Sequence, residues 1–338
     1  MKVIDIENHF ASVAWLDALR NNKTGYPRIA EDPDGKTKLY WAEDVWVYYI
    51  GERLQDLGDV RIKYLDEAGI DVAVLSLAAS GAEPFEPEVG SEVAQKTNNE
   101  LAQAIAKHPD RFSGFATIAP KDVDTAVREL ERAVKDLGLK GWHTHSNFGD
   151  SYIDEKRYWP ILAKVEELDI PIYIHPTAPM IPQFKTYGTG LAGASFGFGA
   201  ETSMVMMRLI TSGAFDAFPK LKIILGHYAE GLPFMMNRVD RPYLQGHIRP
   251  QPGIAPQLER RPSDYLRNNM YATTSGNYQA SAFIMTRDEL GIGRVLLGTD
   301  FPYEDMTSCM SFLKGLSLSE PEQEMLFEKN ATGLGLAH

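Results

Sequence analysis

Glu7 and His9 stand two positions apart at the end of the apolar run that opens the chain, so on an extended strand both side chains leave the same face. Groups of the same kind close three later apolar runs. They are His175 in Ile-Pro-Ile-Tyr-Ile-His175-Pro, His227 in Leu-Lys-Ile-Ile-Leu-Gly-His227, and Asp300 in Arg-Val-Leu-Leu-Gly-Thr-Asp300. Imidazole and carboxylate together suit a divalent transition metal. A histidine taken singly is as readily a hydrogen-bonded structural residue. Strand ends that carry such groups four times over point instead to one shared metal site.

The elements that must position these groups can be read from the same runs. Eight strands are expected, at Lys2 to Glu7, Ile70 to Leu77, Phe112 to Ala119, Leu139 to His145, Pro171 to His175, Leu221 to Gly226, Asn269 to Thr274 and Arg294 to Thr299. Most are short continuous apolar runs, the pattern of strands buried on both faces of a parallel sheet. Helices are expected between them at Ser91 to Lys107, Val123 to Leu137, Tyr158 to Leu168, Glu201 to Ser212 and Leu232 to Val239. Asp122 and Asp154 are placed to cap helix N-termini, and Gly138 and Gly213 to stop helices. Eight strands alternating with helices read as a single (β/α)₈ barrel spanning 1–338, a fold that carries its chemistry at the C-terminal ends of the strands.

Three connections exceed what a barrel needs. Ala11 to Asp59 holds Trp15, Trp41 and Trp46 around a turn-rich Glu31-Asp32-Pro33-Asp34-Gly35, Pro176 to Ala200 is rich in Gly and Pro, and Tyr243 to Ser263 is rich in Pro. Connections of this length are usually functional. The aromatic content of the 11–59 segment marks it as an inserted lid or a dimer contact.

Composition sets limits on partners. The 338 residues are 44% hydrophobic and 10% aromatic, ordinary for a globular protein. A formal charge of −12 argues against sequence-independent nucleic-acid binding. No apolar run approaches the roughly 18 residues of a membrane span, and Met1-Lys2-Val3-Ile4-Asp5 does not start like a signal peptide, so a cytoplasmic location is expected. The single Cys309 excludes an intrachain disulfide and a thiolate zinc cluster. Of eight histidines, His9, His143, His145, His175 and His227 fall in or just after expected strands. His108, before Pro109, reads as a helix cap, and His247 and His338 as loop and terminus residues.

Glu7-x-His9, Tyr-Ile-His175-Pro, Leu-Gly-His227-x-x-Glu230-Gly-Leu-Pro-Phe and Gly-Thr-Asp300-Phe-Pro-Tyr, in this order, resemble the metal-dependent decarboxylase branch of the amidohydrolase superfamily. That branch includes the γ-resorcylate, 2,3-dihydroxybenzoate, 5-carboxyvanillate and aminocarboxymuconate semialdehyde decarboxylases. The resemblance extends through Lys140-Gly141, Arg157-Tyr158-Trp159-Pro160, Phe218-Pro219 and Lys329-Asn330-Ala331. It implies that Glu7, His9, His175 and Asp300 hold one divalent ion per subunit, manganese or zinc. It further implies that His227 and Glu230 handle a proton, and that Arg238, eleven residues after His227, approaches the substrate. Glu7, where the hydrolase-type His-x-His pair has its first histidine, points toward decarboxylation. No lysine ends the fourth strand, which argues against a carbamate-bridged pair of metals. His145 occupies a position where many resorcylate-type relatives carry asparagine, so the ring substituents of the substrate stay open. The resemblance also implies a homodimer or homotetramer, in which Arg53 of the inserted segment is placed to reach a neighbour's site.

The implied reaction is chemically coherent for these groups. Expelling CO₂ from an arene directly leaves a poor carbanion. Protonating the carboxylate-bearing carbon first is easier when an ortho hydroxyl feeds electrons into the ring. Asp300 is the expected acid, with burial and Glu7 pushing its carboxyl upward. The expected substrate is thus a small aromatic carboxylate. A metal-dependent hydrolase of a lactone or amide, using a metal-bound water with Asp300 or His227 as base, remains the alternative. A catalytically silent metal-binding protein is a third reading, against which the joint presence of Asp300 and His227 weighs. Arg238, followed by Asp240 and Arg241, is equally readable as a surface salt-bridge residue.

Overall fold

The chain is described by a computed structural model covering residues 1–338 except Thr24, Asp34, Pro252 and His338. Asp34 of the expected turn and the terminal His338 therefore lie outside the described residues. Eleven strands are present among those described: β1 (Ile4–Phe10), β2 (Arg28–Glu31), β3 (Thr37–Ala42), β4 (Val45–Tyr48), β5 (Val72–Leu77), β6 (Phe112–Gly114), β7 (Trp142–His145), β8 (Ile172–His175), β9 (Ile223–Leu225), β10 (Met270–Thr273) and β11 (Val295–Leu296). β1, β5 and β6 form one parallel ladder, and β7 through β11 form another in sequence order.

Two seams join these ladders into a cylinder. At one, Ala116 bridges Trp142, with Ala116 N–H donating to Gly141 O at 2.7 Å and His143 N–H to Ala116 O at 3.0 Å. At the other, Asn8 bridges Phe301, with Ile6 N–H donating to Leu297 O at 2.9 Å and His9 N–H to Phe301 O at 2.7 Å. The eight-stranded barrel read from the sequence is thereby closed, with its strands parallel and a helix between most of them.

The strands are shorter than the apolar runs that encode them, because the ladder stops where the chain must turn outward to the site. β1 is the exception: it runs three residues past Glu7, so Glu7 and His9 lie within the strand and not beyond its end. Helix ends follow their capping chemistry. Asp122 accepts from Thr125 N–H at the start of Val123–Lys135, and Gly138 and Gly213 adopt the left-handed conformation that ends helices, with φ of 74° and 77°. Asp154 does not cap. Its carboxylate takes the Arg208 guanidinium at 2.6 Å, and the following turn starts after Glu155. The helix expected to end at Val239 continues as Leu232–Leu244.

The inserted 11–59 segment forms a small antiparallel sheet, order β2-β3-β4, which the sequence reading did not anticipate. Its aromatic and β-branched residues (Ile29, Tyr40, Trp41, Trp46, Val47) are strand formers. No helix among the described residues is long and apolar enough to cross a membrane.

Candidate metal centre and active site

β1 delivers Glu7 and His9, the end of β8 delivers His175, and the turn after β11 delivers Asp300. One donor atom from each lies within 4.8 Å of the other three, and all four residues are buried. Each is oriented by a second partner. Glu7 Oε2 accepts from the Thr273 hydroxyl at 2.7 Å, leaving Oε1 buried with no partner. His175 Nδ1 lies 2.8 Å from Pro176 O, a carbonyl that can only accept, so Nδ1 carries the hydrogen and Nε2 keeps its lone pair for the centre. His9 Nδ1 meets Ser76 Oγ at 3.1 Å, and its Nε2 meets Asp300 Oδ1 at 3.1 Å.

An unpartnered carboxylate oxygen and a free imidazole lone pair, aimed at one point beside a second carboxylate, make a donor set that fits a divalent cation. Asp5 fixes the frame below it. Its carboxylate accepts from Glu7 N–H, Asn8 Nδ2, Thr299 N–H and the Thr299 hydroxyl, tying β1 to the end of β11.

The charges are unevenly placed. Burial and the neighbouring Asp300 push the Glu7 carboxyl above its ordinary value. Burial raises Asp300 as the sequence reading expected, but the three imidazoles around it, His9 at 3.1 Å, His227 at 3.6 Å and His175 at 3.9 Å, outweigh it and hold Asp300 well below the usual carboxylate range. The expected upward push on Asp300 is thus reversed by three imidazoles whose combined approach no sequence pattern displays. Burial alone lowers His227, yet Glu230 and Asp300 together raise it well above the ordinary imidazole range. His227 Nδ1 is 2.7 Å from Glu230 Oε1, and its Nε2 is 3.6 Å from Asp300 Oδ2. Burial and His9 depress His175 to about 3, so that imidazole is neutral.

His175, His227, Glu230 and Asp300 open into a cavity of about 550 Å³, large enough for a small aromatic acid. Its apolar and aromatic lining is Trp41 and Val47 from the inserted sheet, Ala79, Pro176, Ala194 and Phe198. Trp41 meets Phe198 edge to face at 5.5 Å. Its polar lining includes His175, His227, Glu230, Asp300, Asn277, Tyr303 and Glu304. A wider groove of about 820 Å³ lies between the helices Val13–Asn21 and Pro87–Lys107, away from all of these groups.

Five sequence-derived candidates lie outside the lining: Glu7 and His9, buried in β1, and His145, Arg238 and Arg53. His145 is buried, with Nδ1 3.1 Å from Glu83 Oε1. Arg238 is exposed on the helix Leu232–Leu244, and Arg53 is exposed with its guanidinium over the Tyr64 ring at 5.7 Å. Arg53 lines a separate small pocket that shares Tyr303 and Glu304 with the main cavity. His143, buried and stacked on Tyr173, is held neutral by burial. Sequence reasoning missed Thr273, Ser76 and Glu304. The first two are hydroxyls in otherwise apolar strand runs, a signal that was available; Glu304 had none.

The comparisons agree with this geometry. The amidohydrolase family model matches residues 4–334. A γ-resorcylate decarboxylase of Rhodococcus jostii is 36% identical over 344 residues, covering 98% of this chain and 97% of that one. The crystal structure of 5-carboxyvanillate decarboxylase from Sphingomonas paucimobilis superposes with a TM-score of 0.89 at 31% identity, covering 100% of this chain and 99% of that chain. A dihydroxybenzoic acid decarboxylase from Polaromonas sp., solved with manganese and the inhibitor 2-nitroresorcinol, superposes with a TM-score of 0.83 at 34% identity, covering 98% and 96%. With the barrel closed, the donor set gathered at its C-terminal rim and a family match along nearly its whole length, the chain belongs to the amidohydrolase family.

Proposed function

We propose that this protein is a metal-dependent, non-oxidative decarboxylase of an ortho-hydroxy aromatic carboxylate. The observation that carries the reading is His227 held between Glu230, 2.7 Å from its Nδ1, and Asp300, 3.6 Å from its Nε2, beside a four-ligand site that opens into a largely apolar cavity. Glu7, His9, His175 and Asp300 would hold the ion, manganese or zinc. When bound, it supplies Lewis acidity and a template for the carboxylate and its ortho oxygen. The relatives named above support decarboxylation over the hydrolase alternative.

The chain's own groups divide the remaining work. Trp41 and Val47, together with Phe198 of the helix Gly197–Thr211, hold the ring and keep water from it; shielding by Trp41 and Val47 is the role we assign to the inserted 11–59 segment. Asp300 receives a proton from His227 Nε2 and passes it to the ring carbon bearing the carboxylate, as the ortho phenolate supplies the electron pair. The bond to the carboxylate then breaks, CO₂ leaves, and its electron pair restores the aromatic ring as the phenolate. Glu230 keeps the His227 ring oriented and favours its recharging with a proton.

We also infer a homodimer or homotetramer. The cavity lining contains no arginine or lysine, while Arg238 and Arg53 are exposed outside it and Phe234, on the same helix as Arg238, is 78% exposed. A neighbouring subunit would bring such a cation to the substrate. Arg238 and His145 are the substrate-side candidates that this reading retains.

The test is a panel of ortho-hydroxybenzoates incubated with manganese-loaded protein in D₂O. We expect CO₂ loss from at least one of 2,6-dihydroxybenzoate, 2,3-dihydroxybenzoate and 5-carboxyvanillate, with one deuterium at the vacated carbon. No turnover across the panel, with metal bound, would sink the reading in favour of the hydrolase.

A further inference from the structure

The cavity's polar lining holds a group that neither the ion nor the proton transfer requires. Glu304 follows Asp300 by four residues, and its N–H donates to Asp300 O at 3.0 Å, so the turn after β11 sets both carboxylates on one rim. It lines the cavity beside Asn277. A Cβ placed on Gly276 would meet His227 Cδ2 at 2.9 Å and Glu304 Cγ at 4.0 Å, so both side chains lie over this glycine, which is in the left-handed region at φ 60°. Glu304 is in no salt bridge among the described residues, although Arg53 lines the adjoining small pocket. Burial and Asp300 push its carboxyl up, and His227 and the Tyr278 hydroxyl oppose them.

We propose that Glu304, with Asn277, is a specificity residue: it selects ring substituents that donate a hydrogen bond and rejects substrates carrying a second carboxylate. The proposal rests on the decarboxylase reading and narrows it to monocarboxylic phenols with a further hydroxyl or amino group. The physical argument is asymmetric. A ring hydroxyl gives Glu304 a charge-assisted hydrogen bond. A ring carboxylate at that position meets a partly buried side chain that is itself a carboxylate, so like charges oppose each other there. A site built to accept a hydrogen bond discriminates far more sharply than an apolar wall does.

The experiment compares kcat/KM for 2,6-dihydroxybenzoate, 2,3-dihydroxybenzoate and 5-carboxyvanillate in manganese-loaded wild type, Glu304→Gln and Asn277→Asp. The wild type should favour the dihydroxybenzoates over the dicarboxylate. Glu304→Gln, which keeps the shape and removes the charge, should shrink that preference by about tenfold or more. Asn277→Asp should enlarge it by adding charge to the same wall. A second readout is quenching of tryptophan fluorescence, through Trp41, by resorcinol and by isophthalate; Glu304→Gln should strengthen isophthalate binding relative to resorcinol. A wild-type preference for the dicarboxylate would overturn the proposal, as would a Glu304→Gln change that scales all substrates by the same factor. Absence of turnover on every substrate in the wild type would instead strike the decarboxylase reading, with the fluorescence ratio still deciding the role of Glu304.

Discussion

Gly298→Ala tests whether the position of the Glu7 carboxylate is what makes the metal centre. Gly298 lies at the barrel seam just before Thr299. A Cβ there would fall 2.7 Å from Glu7 Oε2, 2.8 Å from Thr273 Cβ and 3.0 Å from Glu7 Cβ. All three distances are inside ordinary van der Waals contact, and they press on Glu7 and on the threonine that orients it. Neither is the loose end of a flexible chain: Glu7 is 1% exposed and Thr273 is fully buried. The carboxylate must therefore move by several tenths of an ångström, whereas a functional metal site tolerates ligand shifts of about 0.2 Å. Disturbing the groups that orient a ligand typically lowers metal affinity by about 10- to 100-fold, roughly 1.4 to 2.7 kcal/mol. Overpacking the barrel adds a separate destabilisation of about 1 to 3 kcal/mol. Thermal melting of the metal-free protein isolates the packing cost, and manganese titration against a competing chelator isolates the affinity loss. Gly226→Ala is the matched control, because its Cβ would sit 3.2 Å from the Tyr173 hydroxyl and 3.4 Å from Glu7 Oε1. The reasoning is refuted if Gly298→Ala binds manganese as wild type does, or if Gly226→Ala loses as much.

Asp300→Asn keeps an oxygen donor and should retain much of the metal while losing about 10²- to 10⁴-fold in kcat, read by CO₂ release and metal analysis; full activity would remove Asp300 from the proton path. Chelation should abolish turnover, and manganese or zinc should restore it, with metal content measured at each step; activity in verified metal-free protein would contradict the donor-set argument. Arg53→Ala should raise KM in the assembled oligomer if Arg53 reaches a neighbour's substrate, and unchanged kinetics would reject that role.

The barrel was legible because its code is repetitive: eight apolar runs, each ending where the chain turns, specify parallel strands and place the site at their ends. Glu7, His9, His175 and Asp300 were legible for the same reason, since a carboxylate or imidazole at the end of a buried strand is costly to keep there unless it binds or reacts. The inserted sheet was not, because Ile29, Trp41 and Val47 lie in a segment whose turn residues dominate the pattern, and strands this short carry little periodicity. The charge on Asp300 was misread because burial is visible in sequence, while the approach of three imidazoles from β1, β8 and the turn after β9 is a property of closure. Glu304 was invisible for a related reason: an acidic residue after Asp-Phe-Pro-Tyr reads as surface until the turn brings it round to the cavity.

The turn that carries His227 shows most clearly where local rules yield to the site. His227, Tyr228, Ala229 and Glu230 have φ of 52°, 58°, 57° and 52°, four successive non-glycine residues in the left-handed region. Each costs about 1 to 2 kcal/mol relative to a right-handed turn. The segment keeps this shape because its surroundings hold it: His227 N–H donates to Ser275 Oγ at 3.1 Å, Tyr228 N–H to Thr273 O at 2.8 Å and Ala229 N–H to Gly226 O at 2.8 Å. The Tyr228 ring packs edge to face on Phe283 at 6.2 Å. Local propensity places a right-handed turn here, which would carry the side chains of 227 and 230 in other directions. The left-handed turn brings Glu230 Oε1 back onto His227 Nδ1 and leaves Nε2 facing Asp300. Left-handed backbone at these four residues, and at Asp300 opposite them with φ of 63°, is the pattern expected when the turns are kept for the alignment of His227 with Asp300 and not for stability.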